Sequence, residues 1–150
     1  MATRPQPKKS PYSMHPSFER MGSLKSAEAK DYDPDALVDA MFAGSKAPLR
    51  PLYEALLKTG LAIGSDVNAC PCKTIVPLYR RHVFARIKPA TRTRLDLGLA
   101  LKDTATTARL INTGGLAKGD RITHRIAIES AGDIDEEVLH WLKFAYQLDA

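Results

Sequence analysis

The chain has 150 residues, 44% of them hydrophobic and 26% charged, with a formal net charge of +5. That is the length of about one domain, with ordinary globular composition and enough chain to bury a core without metal or disulfides. No apolar run approaches a membrane span, no apolar segment follows the N-terminal charges as in a signal peptide, and Cys70 and Cys72 alone are no disulfide scaffold, so those classes are excluded and the chain reads as cytoplasmic and reduced.

Residues 1–30 carry six Lys/Arg against two Asp/Glu, and RPQPKKSPYSMHP holds four prolines that rule out a helix or a central strand. This segment is expected to be a flexible basic arm, with Tyr12, Phe18, Met21 and Leu24 as residues able to dock on the domain. The remaining residues, 31–150, are expected to form one α+β domain and are close to neutral. Most of the net charge therefore belongs to the arm and says little about the folded part.

Helical patterning begins at Asp33, a cap residue followed by Pro34 at the first helical position, with Leu37, Ala40 and Met41 on one face before Gly44. A second helix is predicted from about Leu49 to Ala62, its buried stripe being Leu49, Leu52, Tyr53, Leu56 and Leu57. Strands are predicted over 73–80, 82–89, 93–101 and 121–129, with a further short one near 107–112. The clearest is TRLDLGLAL, where Leu95, Leu97, Leu99 and Leu101 alternate with Arg94, Asp96, Gly98 and Ala100. In the last strand Ile122, Ile126 and Ile128 are read as one face, with His124 in the same row. A closing helix is predicted from near Ser130, capped through Asp133, with Ile134, Val138, Trp141, Leu142 and Ala145 as its apolar stripe. The expected architecture is two-layered: helix, helix, an antiparallel meander of four or five strands, then a helix, with the helices on one face.

Taken together, LVDAMFAGSKAPLRPLYEALL, KTIV, FARIKP, TRLDLGLAL, THRI and DIDEEVLHWLKFAYQL occur in an order that resembles one bacterial family. It is the family numbered fifty-six fifty-five among domains of unknown function, and the resemblance covers about residues 33–150. It implies no activity, cofactor or partner. Family chains of two parts place a small helical domain or a zinc-knuckle-like segment ahead of this one, whereas here the Pro/Lys-rich arm stands in that place.

Charge is segregated within the folded part. Residues 73–125 hold twelve Lys/Arg against three Asp/Glu, while the flanking helical regions are net acidic. With helices on one side of the sheet, Arg86, Lys88, Arg94, Arg121 and Arg125 are expected to line the other. Lys73 opens the first strand nearby, and Phe84 shares the row of Arg86 and Lys88. A basic face carrying an aromatic suits phosphate contacts with base stacking. The alternative is a solvated strand face whose arginines pair with neighbouring carboxylates.

Other candidates carry less. His124 reads as a buried, hydrogen-bonded histidine, and neither His82 at a turn nor His140 on a helix flank has an acid or nucleophile at recognisable spacing. Cys70 and Cys72 lack the second pair a structural zinc site needs. The loop NTGGLAKGD has Asp120 where a phosphate-binding loop has lysine, so it reads as a flexible connection. No catalytic residue, metal ligand or cofactor is assigned. The leading expectation is a non-catalytic module that contacts an anionic partner, nucleic acid first, through the basic face. The alternatives are a protein-interaction or homo-oligomerising domain, and a small-ligand or enzymatic pocket near Lys73 and His124.

Overall fold

The computed structural model of the chain describes residues 10–13 and 32–150. The predicted arm lies outside them except for residues 10–13. Among the described residues three α-helices, α1 (Pro34–Met41), α2 (Arg50–Leu61) and α3 (Glu136–Leu148), accompany six strands. The strands are β1 (Asn68–Ala69), β2 (Val76–Tyr79), β3 (Val83–Pro89), β4 (Leu95–Leu99), β5 (Ile111–Asn112) and β6 (His124–Ile128). All pair antiparallel, in the order β1-β2-β3-β4-β6-β5. The fold is α+β, as expected, but the sheet is not a pure meander. After β4 the chain skips one position to lay down β5 at the far edge, then returns as β6 between them.

Strand alternation sorts the sheet into two faces. Ladder partners point to the same side, so Val76, Leu78, Ala85, Ile87, Leu95, Leu97, Leu99, Ile126 and Ile128 form one continuous apolar surface, every member buried. The helices pack there. Val38, Met41 and Phe42 from α1 and its end, Tyr53, Leu56 and Leu57 from α2, and Val138, Leu142 and Ala145 from α3 join the same core. Gly60 brings α2 close to the sheet, since a Cβ there would stand 2.6 Å from Leu78 Cδ1.

Local chemistry accounts for the helix starts. The Asp33 carboxylate accepts from Ala36 N at 3.1 Å and caps α1. Pro48 lies in a 3-10 helix, Gly44–Leu49, that runs straight into α2. In α1 the buried face is Val38 and Met41, while Leu37 is half-buried and Ala40 exposed. Phe42, one helical turn beyond Val38, sets that face by its size. Ser130 and Asp133 do form a capping arrangement, with Asp133 Oδ2 accepting from Glu129 N and Ser130 N. It closes a 3-10 turn over Ala131–Asp133, however, and α3 starts later, capped by Asp135 accepting from Val138 N at 3.2 Å.

The described piece of the arm is docked. Tyr12 forms a parallel bridge with Ala69, and its hydroxyl lies 2.7 Å from that of Tyr53. The Cys70 thiol donates to Ser13 O, and Ser13 Oγ donates to Asn68 Oδ1. Among the described residues no helix is long and apolar enough to cross a membrane.

Candidate functional site

The face of the sheet opposite the described helices, called the helix-free face below, carries the cations. In register, Arg86 stands beside Gly98, Gly98 beside Arg125, and Lys88 beside Asp96. Arg94, two residues before Asp96, leads into the same row. Asp96 is the one acidic residue among these positions. It accepts from Arg94 Nε at 3.0 Å and lies 3.4 Å from Arg125 Nη1, so one carboxylate serves two guanidinium groups. The side chains of Arg86 and Lys88 have neither a hydrogen bond nor an ion pair with any described residue. They are separated by two strand residues, about 7 Å.

Gly98 shapes this surface. A Cβ there would meet Arg86 Cγ and Ile122 Cγ2, each at 2.9 Å, so the Arg86 stem lies flat over the glycine with Ile122 on its flank. This corrects the assignment of Ile122 to the apolar row with Ile126 and Ile128. Strand geometry begins only at His124, and the irregular backbone after the bend at Arg121 leaves Ile122 on the opposite face, beside Gly98. The connection over 112–120 carries hydrogen bonds of its own. The loop closes on itself through Asp120 N to Gly115 O at 2.8 Å and Thr113 N to Thr123 O at 3.0 Å. Gly115 is required there, because a Cβ would fall 2.0 Å from Ile122 O. Between this loop and the β2–β3 hairpin lies a cleft of about 320 Å³, lined by Cys72, Pro77, Tyr79, Val83, Arg86 and Ile122, with Gly119, Asp120 and Arg121 on the loop side. Burial holds the Tyr79 hydroxyl up at about 12 and raises the Cys72 thiol, so neither ionises near neutral pH.

Three predicted site residues lie elsewhere. Phe84 is not in the row of Arg86 and Lys88. It is 0% exposed, and its ring meets Tyr146 of α3 edge-on at 5.7 Å between centroids. The cause is a β-bulge: Leu78 pairs with Ala85 but Tyr79 pairs with Val83, which leaves Phe84 as the extra residue and turns it to the helix side. Arg121 sits at the loop end, where Nε donates to Val83 O and Nη2 pairs with Asp149 at 3.2 Å. Lys73 lies in an exposed bend ahead of β2 instead of opening the strand, which starts at Val76.

Lys73 and His124 lie on strands or flanks far apart in the sheet. Three strand spacings, about 14 Å, separate β2 from β6. The His124 ring is buried, with Thr123 Oγ1 at 2.7 Å and Thr104 O at 2.8 Å from its two nitrogens. Among the described residues, no group of three or more His, Cys, Asp or Glu could hold a metal ion.

Sequence reasoning missed Asp149. Its buried carboxylate accepts from Arg81 N, His82 N and Arg121, and lies 2.8 Å from His82 Nδ1, fastening the C-terminus to the β2–β3 turn. Nothing in its local sequence distinguishes it from an ordinary terminal carboxylate. Arg80 likewise belongs to the framework, paired with Asp66 and lying over the Tyr146 ring at 3.9 Å.

A family model described as Domain of unknown function (DUF5655) matches residues 38–149. No curated protein and no solved structure matches the chain.

Proposed function

Because the chain belongs to the DUF5655 family, whose description assigns no activity, we propose from its own surface that the protein is a non-catalytic module that binds single-stranded nucleic acid. The contact runs through the helix-free face and engages phosphates more than bases. The observation that carries this reading is the pair Arg86 and Lys88, two cations on one face with no carboxylate partner among the described residues. Arg94 and Arg125 extend the row with half-satisfied charge, since Asp96 serves both. Successive cations along an extended strand suit successive phosphates of an extended nucleic acid. With Phe84 turned inward and Tyr79 buried, neither ring is an exposed stacking platform, so affinity is modest and independent of sequence. Two free cysteines and soluble composition support placing the protein in the bacterial cytoplasm.

The test is fluorescence anisotropy with a mixed-sequence single strand of about twelve nucleotides, a length matched to single-strand binding surfaces. Affinity is expected to fall with salt at a log–log slope of about −1.4 to −2, reflecting two to three neutralised phosphates. The double variant Arg86→Ala, Lys88→Ala is expected to remove about 1.4 from that slope. Absence of binding at low salt, or an unchanged slope in the double variant, contradicts the reading. A second reading, self-association of acidic helices on the basic face of another copy, draws on the net acidity of residues 126–150. Sedimentation at two ionic strengths tests it, a salt-sensitive dimer being the result it requires.

A further inference from the structure

The cleft beside Arg86 has a chemistry of its own. Its floor and walls are Pro77, Tyr79, Val83 and Ile122, with the Cys72 thiol held protonated by burial. At one end stands Arg86, half-buried, its stem fixed across Gly98 and its guanidinium without a counter-ion among the described residues. A planar fork of donors on a packed stem, with no ion pair among the described residues, is suited to seat a phosphate. The apolar walls next to it suit a flat, weakly polar ring. Asp120 sits on the facing loop, where its carboxylate already accepts from Ile122 N at 3.0 Å and so is held at the rim. At about 320 Å³ the space falls at the small end of ligand sites, too small for a dinucleotide.

We infer that this cleft seats a single nucleotide unit of the bound strand, its phosphate on Arg86 and its base between Val83, Pro77 and Ile122. The inference rests on the reading of the face as a nucleic-acid surface. It adds that one base leaves the strand and enters the protein, which a flat electrostatic surface does not require. Arg121 borders the site but is already committed to Val83 O and Asp149, so it frames the cleft without supplying the phosphate contact.

The full chain is titrated with adenosine monophosphate, uridine monophosphate and inorganic phosphate, reading the Val83 and Ile122 methyl resonances by NMR, alongside the oligonucleotide. Both nucleotides are expected to shift those methyls below about 10 mM and to compete with the oligonucleotide. Arg86→Ala is expected to weaken nucleotide binding about tenfold or more, the loss of one charge-assisted contact. Val83→Phe, which fills the cleft and leaves Arg86 in place, is expected to abolish nucleotide binding while keeping the salt-dependent part of oligonucleotide binding. If the oligonucleotide binds but the nucleotides leave the methyls unmoved, the cleft inference fails and the surface reading stands. If neither binds, both fail. If inorganic phosphate competes as well as the nucleotides do, the base has no place in the cleft and the inference is overturned.

Discussion

Phe84→Leu separates a core residue from a stacking platform. The side chain is 0% exposed and joins the cluster between the sheet and α3, with Tyr146 edge-on to its ring. Removing the ring forfeits an aromatic pair worth about 0.5–1.5 kcal/mol. The smaller leucine also leaves part of the space unfilled, which adds roughly 1 kcal/mol of lost burial and cavity. The expected cost is therefore about 1.5–2.5 kcal/mol, which in a domain of this size lowers Tm by roughly 5–10 °C. Differential scanning calorimetry measures that shift, and anisotropy on the folded variant measures oligonucleotide affinity, which is expected to stay within about twofold of the parent. An outward-facing phenylalanine predicts the reverse pattern: stability within about 0.5 kcal/mol of the parent and a clear loss of binding. That pattern would refute both the bulge and the placement of the basic face.

Asp149→Ala removes the acceptor for two backbone amides, Arg121 and the His82 ring, and is expected to cost about 2–3 kcal/mol in chemical denaturation. An unchanged midpoint would show that the C-terminal clamp is ornamental. The Cys72 thiol, raised by burial, is expected to react with iodoacetamide at pH 8 more slowly than glutathione does, and to match it once urea unfolds the chain. Equal rates in the native protein would contradict its placement in the cleft wall. On the acid side, the Tyr146 hydroxyl lowers the pKa of Asp66, and the Val138 N–H lowers that of Asp135. Both folded values lie below the unfolded one, so their stabilisation is complete above about pH 4 and is lost as pH falls through the folded-state values. Thermal melts from pH 7 to pH 2.5 are expected to show less acid loss in Asp66→Asn, Asp135→Asn than in the parent, and parallel curves would sink this assignment.

The residues differ in how openly they declare their place. The leucine alternation of 95–99 and the α2 stripe around Tyr53 and Leu56 were legible, because periodicity alone selects the buried side and the whole apolar side is used. The phase of Arg86 and Lys88 was legible for the same reason. Phe84 was not, since a bulge is a property of the pairing of two strands and leaves no mark in one of them. Ile122 misled because its even spacing from Ile126 continues a strand that the chain has not yet entered. The position of β5 was beyond reach too. Its two residues, both exposed, carry no apolar alternation, and only the ladder to β6 defines them. Asp96 was visible as a residue, but its sharing between Arg94 and Arg125 depends on the β4–β6 register.

The account turns on which side of the sheet meets the ligand. NMR of the arginine Nε–Hε groups during titration with the single-stranded oligonucleotide reads that side directly. Arg86, Arg94 and Arg125 are expected to shift together and to revert as salt is raised, while Arg50, paired with Asp39 and Glu54 beside the helices, stays in place. Shifts confined to Arg50 or Arg109, with Arg86 unmoved, would contradict it.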